Sequence, residues 1–233
     1  MARITPTAQQ PPRTPRHDFG KKVRTHTRYY LESGQQVPGV TSIVGVLDKP
    51  ALPAWANRMG LQGIQTGKYT DEAASIGSLA HHLIESELLD VEPQLGDYTQ
   101  NQIERVQRSL HHFHQWVAQH RLEPQLVEAV LISEVERYGG TIDFYGSVDG
   151  IPTLVDYKTS GGGIWREHKI QVLGGYWGLL KENGYPVKGI RILRFPYGET
   201  DELEEYVASG QKALHCWRIF KLLRALYEEL KGL

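Results

Sequence analysis

An α/β domain on a mixed central sheet, preceded by a helical N-terminal region, is the fold class that the sequence predicts. Three observations carry it. Apolar residues recur at helical spacing up to about residue 120. From residue 126 the period turns strand-like, in the runs "LVEAVLIS", "GTIDFYGSV" and "PTLVDYKTS". A helical segment at 166–183 then separates these runs from two more strand-like ones, and a helix closes the chain.

Each element has its own signal. "YYLESGQQVPGVTSIVGVLD" (29–48) reads as a short hairpin and an apolar helix start, with Thr41 or Ser42 as cap. A helix runs from about Leu52, where Pro53 suits a first turn. "SIGSLAHHLIESELL" (75–89) reads as a helix capped by Ser75 or Ser78. Residues 99–120 place Ile103, Val106, Leu110, Phe113 and Val117 on one helical stripe. After the three strands, "REHKIQVLGGYWGLLKEN" reads as a helix stopped by Gly184 and Pro186. Its Gly174, Gly175 and Gly178 each cost helix propensity, about 1 kcal/mol relative to Ala, which predicts a close neighbour. "GIRILRFP" and "ELEEYVA" are the last strands, and 209–231 is the closing helix.

Bulk properties bound the function. With 233 residues, 40% apolar and 23% charged, the chain suffices for one sizeable domain and is short for two. Residues 29–233 form that domain, mainly helical over 29–125 with the strand-rich core in 126–233. No apolar run is long enough to span a membrane, and the N-terminus has no apolar secretory segment. The single cysteine, Cys216, excludes an internal disulfide and a Cys-built metal cluster; it fits a cytoplasmic setting. A net charge of −1 means that a nucleic-acid partner must be held by a local basic patch. Residues 1–28 hold four prolines and seven Lys/Arg against Asp18, and read as a basic, flexible tail or a DNA-contacting arm. The prolines disfavour the amphipathic helix of a mitochondrial presequence.

The chemistry concentrates in "GTIDFYGSVDGIPTLVDYKTSGGG" (140–163). Asp149-Gly150 between alternating apolar runs marks a two-residue hairpin turn. Facing positions then sum to 299, which sets Asp143 opposite Asp156 as a non-hydrogen-bonded pair with Cα atoms about 4.5 Å apart. Lys158 projects from the same strand face as Asp156. Directly opposed like charges destabilise a sheet, so both aspartates are expected to protonate more easily than usual. A hard divalent ion, Mg2+ or Mn2+, removes the conflict. Two carboxylates and an ammonium facing one point suit metal-assisted phosphodiester hydrolysis. An Asp-x-Lys on a strand is ordinarily a solvated pair; here apolar Ile142, Phe144, Leu154 and Val155 flank it.

These residues resemble the core of the PD-(D/E)XK nucleases, in the RecB-like branch that includes phage exonucleases and the mitochondrial genome-maintenance exonuclease. Asp143 in "GGTID" is similar to the family's second-motif aspartate, and Asp156-Tyr157-Lys158 in "VDYKTS" to its acid-x-lysine motif. Gly77-Ser78-Leu79-Ala80-His81 matches the upstream G-[ST]-x-x-H motif and nominates His81 instead of His82. Glu128 matches a glutamate on the preceding strand, "PGVTSIV" and "LPAWA" match the family's entry segment, and Gln171 and Tyr176 match a glutamine–tyrosine motif. The family often spaces that pair by four residues. On an α-helix the fifth position lies about 100° round from the fourth, so Tyr176 is expected to point away.

The resemblance implies a restriction-endonuclease-like fold and a metal-dependent DNA exonuclease of phage or bacterial recombination, repair or replication. Asp143, Asp156, Lys158 and Glu128 are then catalytic, and His81, Asp143, Asp156 and Tyr157 form the metal set. Gln171, Tyr176, Arg166 and Lys169 contact DNA, as single strands or duplex ends, and a homo-oligomer or a recombination partner protein is compatible. Arg191 and Arg194 are further phosphate candidates, against the simpler reading of solvated charges. Trp55, Trp116, Trp165 and Tyr157 are large enough to stack on bases, against the simpler reading of core packing. A surface histidine in a first helical turn is the plain alternative for His81. A structure-selective endonuclease and a non-catalytic nucleic-acid-binding protein of the same fold are the competing functions.

Overall fold

Five strands form the central sheet in the spatial order β3 (Leu122–Ser133), β4 (Tyr138–Val148), β5 (Ile151–Thr159), β6 (Gly189–Phe195) and β7 (Glu204–Ala208). Three of the four junctions are antiparallel; β5 and β6 run parallel. A parallel neighbour needs a crossover, and the helical segment between β5 and β6 supplies it. The fold is therefore α/β with a mixed sheet, as the sequence predicts. The computed structural model describes residues 27–96, 98–160, 162–196 and 202–233. The basic tail reading falls almost wholly outside the described residues. A two-residue-per-strand hairpin, β1 (Tyr29–Tyr30) with β2 (Gln36–Val37), opens the described chain.

Helices cover both sheet faces. On one side lie α1 (Val40–Val44), α5 (Arg166–Lys169), a π-helix (Ile170–Tyr176), α6 (Trp177–Glu182) and α7 (Gly210–Lys231). Val40, Ile142, Leu154, Leu179, Ile192 and Phe220 fill that core. On the other side α3 (Thr66–Leu88) and α4 (Gln100–Val117) bury Ile84, Phe113, Phe144, Val155 and Phe195. The short helix α2 (Ala51–Leu61) leads into α3 and buries no residue of its own.

The glycines of the crossover segment show why they outweigh their propensity cost. A Cβ on Gly174 would meet the Cys216 carbonyl oxygen at 2.7 Å, and one on Gly178 would meet the Trp217 ring and the Tyr138 hydroxyl. The segment thus lies against α7 at near backbone contact, which only glycine permits.

Several local expectations change. Gly39, not Thr41 or Ser42, caps α1. Helix α3 begins at Thr66, so Ser75 and Ser78 are interior. Its first nine residues, TGKYTDEAA, bury nothing, and an apolar stripe cannot mark them. Strand β3 starts at Leu122, ahead of the expected boundary at 126, with a register shift between Pro124 and Leu126. The proline sits at this irregularity because it has no N–H for a regular ladder. Helix α4 is as expected, with Thr99 and Gln102 forming a reciprocal capping box.

Candidate metal centre

The β4–β5 hairpin turns at Asp149 and Gly150, at φ of 53° and 84°, and its pairs sum to 299 as expected. The ladder, however, ends at Phe144↔Val155. Asp143 and Asp156 do not form the next pair. Instead Oδ2 of Asp143 accepts the N–H of Tyr157 at 2.8 Å, while Asp156 itself continues in register with Ile192 of β6. A side chain takes the donor that a strand carbonyl would have used, and the two strands part.

Across the other junction, Val127 pairs with Phe144 and Ala129 with Ile142, which leaves Glu128 facing Asp143 without a ladder pair. Glu128 has φ of 46°, a left-handed conformation uncommon for a residue with a side chain. Strict alternation would put Val127 and Ala129 in one core, and likewise Phe144 and Ile142. Instead Val127 and Phe144 pack under α3 and α4, and Ala129 and Ile142 under the crossover segment. The two acids sit at this break, where the sheet changes the face it offers each core. Strained backbone of this kind concentrates at functional sites.

Helix α3 delivers the third group. Gly77 lets it approach the end of β5 closely, since a Cβ there would lie 2.9 Å from the Thr159 hydroxyl. His81, one helical turn on, then reaches across. Its Nδ1 is 2.9 Å from Oε1 of Glu128 and 3.5 Å from Oδ1 of Asp143, and its Nε2 is 3.1 Å from the Tyr157 carbonyl oxygen. This overturns the reading of a first-turn surface histidine. Ligand atoms of His81, Glu128 and Asp143 all lie within 4.8 Å of one another.

Asp156 is outside that group of three. It is 1% exposed, and Nζ of Lys158 lies 2.6 Å from its Oδ2. Among the described residues, neither of its oxygens has an aligned hydrogen-bond donor. A buried carboxylate in that condition is costly unless a further cation joins it.

Electrostatics separates the two aspartates. Burial alone would raise Asp143, but His81, Lys158 and the Tyr157 N–H outweigh it and hold the carboxyl down at about 2. Burial pushes Asp156 up to about 7; Lys158 opposes this and the Asp143 charge adds to it. The expectation that both would protonate easily therefore holds for Asp156 and fails for Asp143. Burial would lower His81, yet Asp143 and Glu128 raise it to about 10. A protonated His81, together with Lys158, would supply the positive charge beside these acids.

The centre opens into a cleft of about 440 Å³ lined by His81, Asp143, Lys158, Gln171, Tyr176 and residues of α1. Gln171 and Tyr176 meet: Nε2 donates to the hydroxyl at 2.8 Å. The expectation that Tyr176 points away assumed an α-helix, and the π-helix corrects it. The carbonyl of Tyr157 faces His81, whereas its ring stacks on Phe195 in the core, so base stacking by Tyr157 does not occur.

Arg166 and Lys169 are not brought to the cleft. Arg166 donates to the Asp48 carbonyl, and Lys169 lies over the Tyr206 ring; neither lines the cleft. Arg191 and Arg194 are committed to Glu205 and Glu204. Trp116 is buried, and Trp165 is exposed. Glu85, Arg28 and Tyr227 also line the cleft and were not singled out from sequence. Glu85 alone had a readable signal, its i+4 spacing from His81.

No family model matches the chain, and no curated protein matches it. Among solved structures, one described as "Crystal structure of SSO0001" is similar, at 15% sequence identity and a TM-score of 0.37. The match covers 79% of this chain and 74% of that one. No helix among the described residues is long and apolar enough to cross a membrane.

Proposed function

We propose that the chain is a magnesium- or manganese-dependent deoxyribonuclease with a restriction-endonuclease-like fold, acting as an exonuclease on DNA ends. One observation carries the reading. His81, Glu128 and Asp143, from three different elements, converge at the edge of a cleft, beside a buried aspartate that has no aligned donor among the described residues and a lysine paired to it. The donor set of imidazole and carboxylates fits a divalent ion of this class. His81, Glu128 and Asp143 would hold it, with Asp156 and the Tyr157 carbonyl alongside. When bound, such an ion supplies charge for a phosphoryl oxygen and makes a water more acidic.

The chain's own groups do the rest. Asp143 is kept ionised by the Tyr157 N–H and its cationic neighbours, so a ligand is ready at neutral pH. Lys158 places an ammonium at the cleft surface, against Asp156, where it stabilises charge gathering on a phosphate in the transition state. Gln171 and Tyr176 line the wall and offer an amide and a hydroxyl to the sugar–phosphate chain.

The test uses end-labelled linear and circular DNA, single- and double-stranded, with magnesium or manganese, on wild type and Lys158→Ala. Release of terminal nucleotides from linear DNA, lost in the variant while DNA binding persists, supports the reading. Equal rates for both proteins overturn the site, and cleavage of circles makes the enzyme an endonuclease.

A further inference from the structure

Helix α7 is apolar on both of its faces. Ala213, Phe220 and Leu223 are buried on the inward side, where Phe220 meets the crossover segment at Gly174. On the outward side Leu222 is 71% exposed, Leu226 47% and Leu230 49%, and Leu233, just past the helix, is fully exposed. With the half-buried Ile219 they recur three or four positions apart, so they form one row along the helix. Scattered exposed leucines are ordinary, but a continuous row is not. Helix α4 on the opposite sheet face is the contrast: its exposed positions, among them Glu104, Gln107, Arg108 and His111, are all polar. A helix that is apolar all round is normally covered all round.

The charges of α7 run against its own dipole. Lys212, Arg218 and Lys221 lie in its first half with no acid, and Glu228 and Glu229 lie near its end, with only Lys231 after them. The dipole favours the reverse order. Arg224 binds Glu228, and Lys221 stands 4.0 Å from Glu136. Among the described residues Arg218 and Glu229 have no ion pair, and both are exposed. They are about three turns apart, hence on the same side of the helix, beside the leucine row.

An antiparallel second copy of the same helix answers both features. About a two-fold axis near Arg224, Leu222 of each copy faces Leu226 of the other, and Arg218 of each lies beside Glu229 of the other. The apolar row is covered, the charges pair twice, and the two dipoles oppose. A parallel pair would instead set Arg218 on Arg218 and Glu229 on Glu229. The chain's own first 26 residues hold one acid, Asp18, and match the basic half of α7 poorly.

We propose that the outward face of α7 is a self-association surface, closing a two-fold dimer in which the two α7 helices run antiparallel. The inference is independent of the nuclease reading.

The experiment is sedimentation equilibrium of the full chain from micromolar to submillimolar concentration. Wild type is expected to dimerise. Leu222→Glu, at an exposed position, should keep its far-ultraviolet circular dichroism and weaken the dimer by more than about tenfold. Arg218→Glu and Glu229→Arg should each weaken it alone. Mixing those two variants should restore it, because every 218–229 pair in the mixed dimer is again of opposite charge. A monomeric wild type across the range, or a dimer indifferent to Leu222→Glu, overturns the proposal. A mixture that stays monomeric overturns the antiparallel order. A monomeric wild type that melts lower when Leu222 is replaced would assign the row to another segment of the chain, and likewise overturns self-association.

Discussion

Gln171 donates to the Tyr176 hydroxyl at 2.8 Å although five positions separate them. Residues 170–176 form a π-helix, whose i→i+5 bonding stacks such residues on one face. The extra residue in the motif is absorbed by one wider turn, and the pair stays together on the cleft wall. Tyr176→Phe removes the acceptor and leaves the fold's core intact. DNA affinity is expected to fall severalfold, about 1 kcal/mol, with an unchanged manganese titration. Calorimetry of both ligands checks this; a metal defect would mean that the pair acts on the centre instead.

The two aspartates should differ in metal-free stability. Asp143 is bonded to the Tyr157 N–H and faces the His81 imidazolium, whereas Asp156 has no aligned donor and feels the Asp143 charge. Asp143→Asn is therefore expected to be less stable than Asp156→Asn, by about 1–3 kcal/mol, in chemical denaturation with chelator present. The reverse order would place the strain on the wrong carboxylate. Neither variant should gain the stability that wild type gains from manganese.

Metal binding should release protons. At pH 7 His81, raised to about 10, carries its proton, and Asp156, raised to about 7, is half protonated. Ligation needs both unprotonated, so roughly one to two protons leave per ion and affinity rises with pH. Titration calorimetry in two buffers of different ionisation enthalpy gives the number. A value of zero would exclude His81 as a ligand.

The same shifts set a pH trend. A histidine raised in the fold contributes stability that is fully present below its unfolded value of 6.5 and is lost as pH climbs towards about 10. Asp156 is also raised, so its neutral form contributes below its ordinary value and the benefit is gone by about 7. His168, lowered by burial to about 4, acts oppositely but only below 6.5. Between pH 7 and 9 the metal-free protein should therefore lose melting temperature steadily, and manganese should flatten the curve. Scanning calorimetry across that window checks it, and a flat metal-free curve would contradict the protonated His81.

Helix packing gives a prediction independent of function. A methyl at Gly178 would press on the Tyr138 hydroxyl, in the core, and on Trp217, half-buried against it. Gly178→Ala should cost about 1–3 kcal/mol despite its better helix propensity. A stabilised variant would show that the crossover segment and α7 can move apart.

Local pattern determined much of this protein. The helical stripe of α4, the turn at Asp149-Gly150, the hairpin sum of 299 and the glycines that mark a close helix contact were all legible, because each is a short-range property of spacing and residue type. So were Asp143, Asp156 and Lys158 as charges on an otherwise apolar hairpin, whereas His81 and Glu128 were nominated only through the resemblance to the nuclease family. What only the tertiary structure decided is how they meet. The parting of β4 from β5, the left-handed Glu128 and the π-turn at Tyr176 are responses to contacts between elements far apart in the chain. They divide the acids unequally: Asp143 gains a histidine and a backbone donor, and Asp156 is left to a lysine. Arg166 and Lys169 show the same limit from the other side. Their position next to Gln171 put them near the site in sequence, but their tertiary partners are the Asp48 carbonyl and the Tyr206 ring.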